Sequence, residues 1–279
     1  MVSEAASAIR SLAVAGDLRV KLDALCDDLR RMRRVVVAFS GGVDSAFLVY
    51  AAGQVLGGDC LAITGVSPSL APREQSAAEA LAQWLKVSHR SVPIDELNDP
   101  AYSANGPDRC FHCKRHLFVA LTDIARRENY AVVLDGNNSD DLTDVRPGRR
   151  AAAEAGVRSP LCEHGFTKAD IRTASRAAGL STADKPASPC LASRFPTGTR
   201  VTEAALAMVA EAEQAMRDIG VMDGRVRFHG DLARLEIPQE LWPIVAREPA
   251  RSLLLDRVRK CGFRHVALDL RYFREPLPE

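Results

Sequence analysis

A glycine- and hydroxyl-rich hexapeptide early in the chain has the composition of a phosphate-binding loop. It consists of Ser40, Gly41, Gly42, Val43, Asp44 and Ser45. The apolar run at 34–39 predicts a buried strand before it, and the pattern at 46–55 predicts a helix after it. Glycines let a backbone curl around a phosphate, and the N–H groups of a helix N-terminus attract anions. The segment predicts a nucleotide phosphate site, against the plainer alternative of a glycine-rich turn that caps a helix.

This loop differs from a Walker A loop in a way that bears on the reaction. A Walker A loop carries a lysine that reaches the β- and γ-phosphates of the nucleotide. The hexapeptide contains no lysine. We therefore favour chemistry in which the β- and γ-phosphates leave together as pyrophosphate, because the α–β bond is broken. Such a reaction transfers AMP to a substrate oxygen.

Three cysteines stand where sulfur chemistry or cluster binding could occur. Cys110 and Cys113 form a CxxC pair at the start of a predicted helix, among basic residues that favour the thiolate. Taken alone, the pair is compatible with redox chemistry, with half of a zinc site or with two buried thiols. Cys190 lies further along, in the proline-containing segment SPCLASR. Three thiolates can hold a [4Fe–4S] cluster and leave one iron open to sulfide.

The overall composition limits the functional classes. The net charge of +1 and the aromatic content of 5% disfavour a dedicated nucleic-acid binder. The cysteine count is odd, at seven, and the N-terminus has no convincing export signal, so we expect reduced thiols in the cytoplasm. No stretch is long and apolar enough to cross a membrane. The cysteines that we expect to be structural are Cys26, Cys60, Cys162 and Cys261.

Helix and strand patterns alternate through the first two thirds of the chain, which predicts an α/β fold with a parallel sheet. Predicted strands occupy 34–39, 60–66, 88–94 and 131–134, and predicted helices occupy 17–33, 46–55, 72–85, 113–127 and 168–178. Open α/β sheets bind ligands at the carboxyl ends of their strands. Gly136 and Asn137 follow the fourth strand, so we expect them to face the same crevice as the phosphate loop and to bind ATP.

A connection rich in proline, serine and glycine at 184–199 predicts a domain boundary. We expect a nucleotide-binding domain with an N-terminal helix at 1–190, and a smaller α+β domain for substrate binding and oligomerisation at 191–279. The second domain has a predicted helix at 203–219 and predicted strands at 225–229, 232–237 and 265–270.

Several charged residues of the second domain are candidates for substrate binding. Arg225 and Arg227 share one face of a predicted strand and suit bidentate binding of a phosphate or carboxylate. A solvated edge strand is the plainer alternative. Arg194 and Glu203 flank Cys190 in sequence and could orient a substrate or an adjacent subunit, with Arg194 the candidate for a catalytic role. Asp231 is a further candidate for substrate binding, and Asp231 and Glu236 could pair with the arginines.

The hexapeptide resembles the phosphate loop of the N-type ATP pyrophosphatase, or PP-loop, superfamily. GMP synthetase, NAD synthetase and the tRNA-thiolating enzymes are members of it. The resemblance implies an adenylating, pyrophosphate-releasing enzyme that uses ATP. It also implies that Asp44 helps to position Mg²⁺ beside the phosphates.

Four segments in order resemble the LarE family of ATP-dependent sulfur transferases. They are the loop at 40–45, DGNNSDD at 135–141, RPG at 146–148 and PCLASR at 189–194. The resemblance implies a pyridinium-3,5-biscarboxylate mononucleotide as substrate, whose carboxylates become thiocarboxylates for the nickel-pincer nucleotide cofactor of lactate racemase. Family members form homo-oligomers, including hexamers, so the resemblance implies a homo-oligomer here. We expect no nucleic-acid or membrane partner for this chain.

The resemblance leaves two sources of sulfur open. In one branch of the family, the cysteine that matches Cys190 gives up its own sulfur and becomes dehydroalanine. In another branch, a CxxC pair joins that cysteine to hold a [4Fe–4S] cluster that carries sulfide. Because this chain has Cys110 and Cys113, we favour the cluster, with Cys190 as its third ligand.

Two other functions remain as alternatives. A PP-loop tRNA thiolase with an iron–sulfur cluster should show a basic RNA-binding track or an added RNA-binding module, and neither is evident in the sequence. A non-catalytic sensor of adenine nucleotide or of a cluster would bind ATP without substrate-dependent release of pyrophosphate.

Overall fold

The computed structural model describes residues 9, 11–142 and 147–272, so Arg146 of the RPG segment lies outside the described residues. The chain forms two compact units. The first contains the chain up to Ser67, Pro72–Glu96 and Asp108–Ser188, and the second contains Pro68–Ala71, Leu97–Pro107 and the chain from Pro189 onward. The two short segments thus group with the C-terminal part, although the sequence analysis placed them in the N-terminal domain.

The first unit is built on a four-stranded parallel sheet. Its strands are β1 (Val35–Ala38), β2 (Cys60–Val66), β3 (Ser88–Pro93) and β4 (Val132–Leu134). They lie in the order β3-β2-β1-β4, with Val35 opposite both Cys60 and Val132. The central strand is a run of β-branched and small residues, as expected for a strand covered on both faces. The predicted α/β fold is confirmed.

Helices cover both faces of this sheet. They are α1 (Asp17–Met32), α2 (Val43–Leu56), α3 (Pro72–Leu85), α5 (Arg109–Arg127), α6 (Pro147–Glu154), α7 (Pro160–Glu163) and α8 (Lys168–Ala177). Val35 and Val37 pack into the apolar core that contains residues of α1 and α2, whereas Val36 and Ala38 pack into the core formed with α5. This alternation fixes the register of β1 and therefore the position of the loop that follows it.

The second unit contains a three-stranded mixed sheet. Its elements are α4 (Pro100–Ser103), α9 (Glu203–Asp218), β5 (Arg225–His229), β6 (Leu232–Glu236), α10 (Trp242–Ala246), α11 (Ala250–Lys260) and β7 (His265–Leu268). β5 pairs antiparallel with β6, and β6 pairs parallel with β7. The Phe195 and Phe228 rings stack with centroids 4.7 Å apart, and Phe263 packs against Phe228 at 6.0 Å.

Most predicted elements lie within a few residues of their expected places. The largest shift is in α5, which begins at Arg109 and not at Cys113, so both cysteines of the CxxC pair lie within the helix, among its first five residues. In the described part of the chain, no helix has the length and apolar character needed to cross a membrane.

Candidate active site

The predicted phosphate loop joins β1 to the N-terminus of α2, at the carboxyl edge of the parallel sheet. Ser40 N donates to Ser45 Oγ at 3.2 Å, and the two hydroxyl oxygens lie 3.1 Å apart. Ala46 N donates to Gly42 O at 2.9 Å and so starts the helix. Gly41 has φ 67°, in the left-handed region that favours glycine. The loop is therefore held in shape by its own residues, with a helix N-terminus behind it that favours an anion.

The loop after β4 packs against the phosphate loop through a glycine. A Cβ on Gly136 would lie 2.9 Å from Ser45 N and 3.1 Å from Ser45 Cα, so a side chain there would collide with backbone. Asp135 fixes this loop, because it accepts hydrogen bonds from Asn137 N at 3.1 Å and from Ser159 Oγ at 2.6 Å. Burial raises the pKa of Asp135, although these hydrogen bonds oppose the rise. The structure brings the two loops together as the sequence predicted.

Asp44 lies in the first turn of α2, where it forms an ion pair that the sequence did not indicate. Lys168 Nζ, at the start of α8, lies 2.5 Å from Asp44 Oδ2. The other carboxylate oxygen, Asp44 Oδ1, is buried without a hydrogen-bond partner among the described residues. A carboxylate oxygen in this state is a suitable ligand for a hard divalent cation. The residues present therefore fit the Mg²⁺ that ATP chemistry requires.

A second lysine reaches the phosphate loop from the segment that precedes Cys190. Lys185 Nζ donates to Gly41 O at 3.0 Å and to Glu74 Oε2 at 2.8 Å. Ser188 Oγ donates to the other oxygen of the same carboxylate, Glu74 Oε1, at 3.0 Å. Burial alone would raise the pKa of Glu74, but Lys185 and Ser188 outweigh it and leave the pKa below its ordinary value.

The CxxC pair lies in an electropositive part of the first unit. Cys110 is exposed and Cys113 is half-buried, and both lie among the first five residues of α5. Arg109 Nη2 lies 4.0 Å from Cys110 Sγ. Phe111 lies between the two cysteines in sequence, and the guanidinium carbon of Arg150 lies 3.8 Å from the centroid of its ring. A helix N-terminus with such cations favours a bound anion.

Cys190 lies in the second unit, at the start of a turn that a buried ion pair holds. Arg194 Nε and Nη2 donate to the two carboxylate oxygens of Glu213 at 2.8 and 3.2 Å. The two side chains are 3% and 1% exposed. Arg194 Nη1 donates to Pro189 O at 2.8 Å and to Cys190 O at 3.2 Å.

These contacts change the interpretation of Arg194. Its place near Cys190 in the sequence suggested a catalytic role, but its guanidinium is buried and engaged with the Glu213 carboxylate and with the backbone carbonyls on both sides of the Cys190 Cα. We therefore assign it a positioning role, in which it fixes the backbone that carries the Cys190 thiol.

The predicted row of arginines on β5 is largely occupied by protein partners. Arg227 Nε donates to Glu236 Oε2 at 2.8 Å, and Arg227 Nη1 donates to Ser193 O at 2.8 Å. Arg234, on β6, contacts the same carboxylate at 3.2 Å. The predicted pairing of Glu236 with an arginine is confirmed. β5 is an edge strand of its sheet, but Arg225 is 8% exposed and the Arg227 side chain is 24% exposed, so neither arginine is a fully solvated surface residue.

The two acidic candidates lie at exposed positions of the second unit. Glu203 occupies the first turn of α9, after the Thr202 side chain that caps this helix by accepting a hydrogen bond from Ala205 N. Asp231 lies in the turn between β5 and β6, where its backbone carbonyl accepts hydrogen bonds from Arg264 N and His265 N. The Asp231 carbonyl therefore has a structural role in that turn.

No group of three or more His, Cys, Asp or Glu side chains in the described ranges is arranged to hold a metal ion. Cys110 and Cys113 belong to the first unit and Cys190 to the second. None of the seven cysteines forms a disulfide. The thiols present have the chemistry of cluster ligands: Cys110 and Cys113 lie together near the start of α5, and Cys190 lies in the other unit.

The phosphate loop at the carboxyl edge of the parallel sheet is typical of an ATP-using enzyme, and comparison with known families agrees. The family model for asparagine synthase matches residues 22–216, which is more than half of the chain. The chain belongs to this family and is an ATP-using enzyme with a PP-loop.

Comparison with individual proteins narrows the class. The chain is 38% identical to the pyridinium-3,5-bisthiocarboxylic acid mononucleotide synthase of Lactiplantibacillus plantarum over 262 residues, which cover 92% of this chain and 93% of that one. An uncharacterized protein of Synechocystis is 42% identical over 91% of this chain and 94% of its own length. An uncharacterized protein of Methanocaldococcus jannaschii is 28% identical over 87% and 91%. The chain therefore belongs to the LarE family of sulfur transferases.

Four residues with defined contacts at these sites were not singled out from the sequence: Glu74, Lys168, Lys185 and Glu213. Each makes its contact through a partner at least 19 positions away, so no local motif marks it. A weak signal did exist for Lys168, because Thr167 and Asp170 form a capping box that places this lysine at a helix start.

Proposed function

We propose that this enzyme uses ATP to convert the carboxylates of a pyridinium-3,5-biscarboxylate mononucleotide into thiocarboxylates, for the nickel-pincer nucleotide cofactor. The observation that carries the proposal is the preformed phosphate loop, with Gly136 packed against Ser45 and a buried, unpartnered oxygen on Asp44. The name of the L. plantarum relative supplies the substrate class.

In the first half-reaction, a substrate carboxylate oxygen attacks the α-phosphorus of ATP. The α–β bond breaks, pyrophosphate leaves and an acyl adenylate forms. The loop N–H groups and the N-terminus of α2 favour the anionic phosphates. Asp44 would hold Mg²⁺, which supplies charge neutralisation at the leaving group. Lys168, beside Asp44, adds a cation that the phosphate loop itself lacks.

In the second half-reaction, a sulfur nucleophile adds to the acyl carbon, and AMP leaves to give the thiocarboxylate. If Cys190 is the donor, its Sγ forms a thioester. Loss of the Cys190 Cα proton and cleavage of the Cβ–Sγ bond then leave dehydroalanine in the chain and sulfur on the product. If sulfide is the nucleophile, Cys190 keeps its sulfur.

We favour the second route and propose that Cys110, Cys113 and Cys190 ligate a [4Fe–4S] cluster, which would carry sulfide when bound. The cations near the start of α5 and the lack of a disulfide at any of the three cysteines support this. Cysteines without disulfides also agree with a reducing, cytoplasmic location.

For the substrate, Arg225, Arg227, Glu203 and Asp231 remain the proposed binding residues. The engagement of Arg227 with Glu236 favours an indirect role for that arginine, in which it orients the β5 surface. We further propose a homo-oligomer, since the LarE family forms hexamers.

Two measurements test the proposal. The first is release of pyrophosphate with ATP and the pyridinium mononucleotide. It should depend on both compounds, whereas a nucleotide sensor would bind ATP without turnover and a tRNA thiolase would require tRNA.

The second is the iron and acid-labile sulfide content after anaerobic purification, for the wild type and for Cys110→Ala, Cys113→Ala and Cys190→Ala. About four irons per chain, lost in each variant, is expected for the cluster. Cys162→Ala is the matched control, because Cys162 is a half-buried thiol of the first unit outside the proposed set. Absence of iron together with a loss of the mass of one H₂S after turnover would instead identify Cys190 as a consumed donor.

A further inference from the structure

The segment that leads into Cys190 is tied to the phosphate loop by one buried carboxylate. Glu74, in the first turn of α3, accepts from Lys185 Nζ on one oxygen and from Ser188 Oγ on the other. The same Lys185 Nζ donates to Gly41 O within the phosphate loop. We name this set, Gly41, Glu74, Lys185 and Ser188, the Glu74 latch. All four residues belong to the first unit.

The ion pair of the Glu74 latch is partly buried, and the segment that carries Lys185 has further anchors. The Glu74 and Lys185 side chains are 14% and 24% exposed, so solvent screens their ion pair less than it screens a surface pair. Arg172, from α8, holds the same segment through Ala183 O at 2.6 Å and Lys185 O at 3.2 Å. The segment therefore has anchors on its backbone and on two side chains.

The end of the latch lies close to the proposed sulfur site along the chain. Ser188 is the last residue of the first unit, and Cys190 follows two residues later. Two residues of extended chain span at most about 7 Å, so an anchor at Ser188 limits the positions that Cys190 can take. On the other side of Cys190, the Arg194–Glu213 pair fixes the backbone within the second unit.

We propose that Glu74, Lys185 and Ser188 are positioning residues that make sulfur transfer depend on the state of the phosphate loop. This rests on the proposed function. Adenylation needs the phosphate loop, whereas displacement of AMP needs Cys190 or what it ligates. The latch is a direct covalent and hydrogen-bonded path from Gly41 to the segment before Cys190. Breaking it should impair the second half-reaction more than the first.

The test is a single-turnover measurement with the full-length protein in excess over the pyridinium mononucleotide. Pyrophosphate reports adenylation, and AMP together with thiocarboxylate reports sulfur transfer. Glu74→Gln and Ser188→Ala are the main variants, because neither side chain donates to or accepts from the phosphate loop in the described contacts. We expect pyrophosphate formation within about threefold of wild type and thiocarboxylate formation slowed about tenfold in Glu74→Gln, since a displacement near 1 Å can cost a hundredfold.

Further variants keep the result interpretable. Lys185→Met should slow both steps, because Lys185 also supports Gly41 O, and Lys185→Arg should recover part of both. Lys21→Met is the matched control, since Lys21 forms a similarly buried ion pair with Asp170, away from the phosphate loop. It should match wild type in both steps. Thermal denaturation of each variant checks that it is folded.

Two results would overturn the assignment. Equal slowing of pyrophosphate and thiocarboxylate formation in Glu74→Gln and Ser188→Ala would make the latch a support of the ATP site alone. No change in either step would make it a stabilising contact without a role in the reaction. If the wild-type protein releases no pyrophosphate with this substrate, the proposed function itself is refuted. That failure is distinct from a failure of the latch proposal, because the latch proposal is tested only by differences between the variants and an active wild type.

Discussion

The phosphate loop and the Cys190 turn hold their key residues by different means. The shape of the phosphate loop depends on close packing and short hydrogen bonds: Ser40 and Ser45 bond within the loop, and Gly136 packs on it with no room for a Cβ. The Cys190 turn depends on a buried ion pair between Arg194 and Glu213, and Arg194 Nη1 also donates to Cys190 O. Short sequence motifs indicate contacts of the first kind. A buried ion pair depends on residues that are distant in the sequence, so no short motif indicates it.

The largest expected effect comes from breaking the charge-based anchor. Glu213→Gln leaves the Arg194 guanidinium buried without a counter-charge, so the free energy of unfolding should fall by about 3 kcal/mol. Chemical denaturation measures this loss. The double variant Arg194→Met/Glu213→Leu removes both charges of the pair and should recover part of the stability. Recovery should be incomplete, because Glu213 also accepts a hydrogen bond from Val226 N and lies 3.9 Å from Arg217.

That double variant also sharpens the comparison. It lacks the donor to Cys190 O, so it should be folded but slow in sulfur transfer, while pyrophosphate formation stays close to that of the wild type. Normal sulfur transfer in this protein would show that the pair serves stability only.

The next effect tests the backbone-based anchor. Gly136→Ala introduces a Cβ that would lie 2.9 Å from Ser45 N, so the phosphate loop must move. Pyrophosphate release should fall about a hundredfold, as expected for a misplacement near 1 Å. Gly58→Ala is the matched control, because a Cβ at Gly58 meets nothing within 4 Å. Similar activity of the two variants would contradict the close packing.

A smaller effect is expected from the lysine beside Asp44. Lys168→Met removes the cation at Asp44 Oδ2 and should reduce pyrophosphate release about tenfold, because a positive charge near the leaving phosphates is lost. Lys168 is 39% exposed, so the melting temperature should change little. Steady-state kinetics at varied ATP and Mg²⁺ concentrations measure the first effect. A large loss of stability with normal kinetics would reverse this assignment.

The smallest effect concerns pH. Lys185 and Ser188 hold the pKa of Glu74 below its ordinary 4.5, against the effect of burial. A carboxylate whose pKa is lowered by folding stabilises the fold at pH values above its ordinary pKa. This contribution is lost as the pH falls through the pKa of the folded state. Thermal melts from about pH 6 to about pH 3 should therefore fall less steeply in Glu74→Gln than in the wild type. Parallel curves would show that Glu74 does not contribute.

These contrasts show what the sequence could predict. The strand at 34–39 and the helix after Gly42 follow from an apolar run and a glycine pair, and both are present in the fold. Contact between the Gly136 loop and the phosphate loop was predictable because parallel strands end at one edge of a sheet. The confirmed family also followed from motifs read in order.

The remaining parts of the site depend on pairings that no local pattern marks. Lys185 reaches Gly41 across 144 positions and Glu74 across 111. The sequence predicted that Arg194 orients a substrate. The reason is that an arginine near a cysteine has the same sequence pattern whether its partner is a substrate or the buried Glu213. The pairing of Arg227 with Glu236 across the β5–β6 hairpin was predictable, because the partners in a hairpin are near in sequence.

The interleaving of the two units has a consequence for protein synthesis. The segment 97–107 leaves the ribosome early, but its partners come much later: Asn105 Nδ2 donates to Pro196 O at 2.8 Å, and Val201 N donates to Ser103 O at 2.8 Å. Asn105, 1% exposed in the finished fold, must therefore wait for a hydrogen-bond partner 91 positions downstream. A nascent chain or a truncation that ends at residue 188 would carry this segment without these partners.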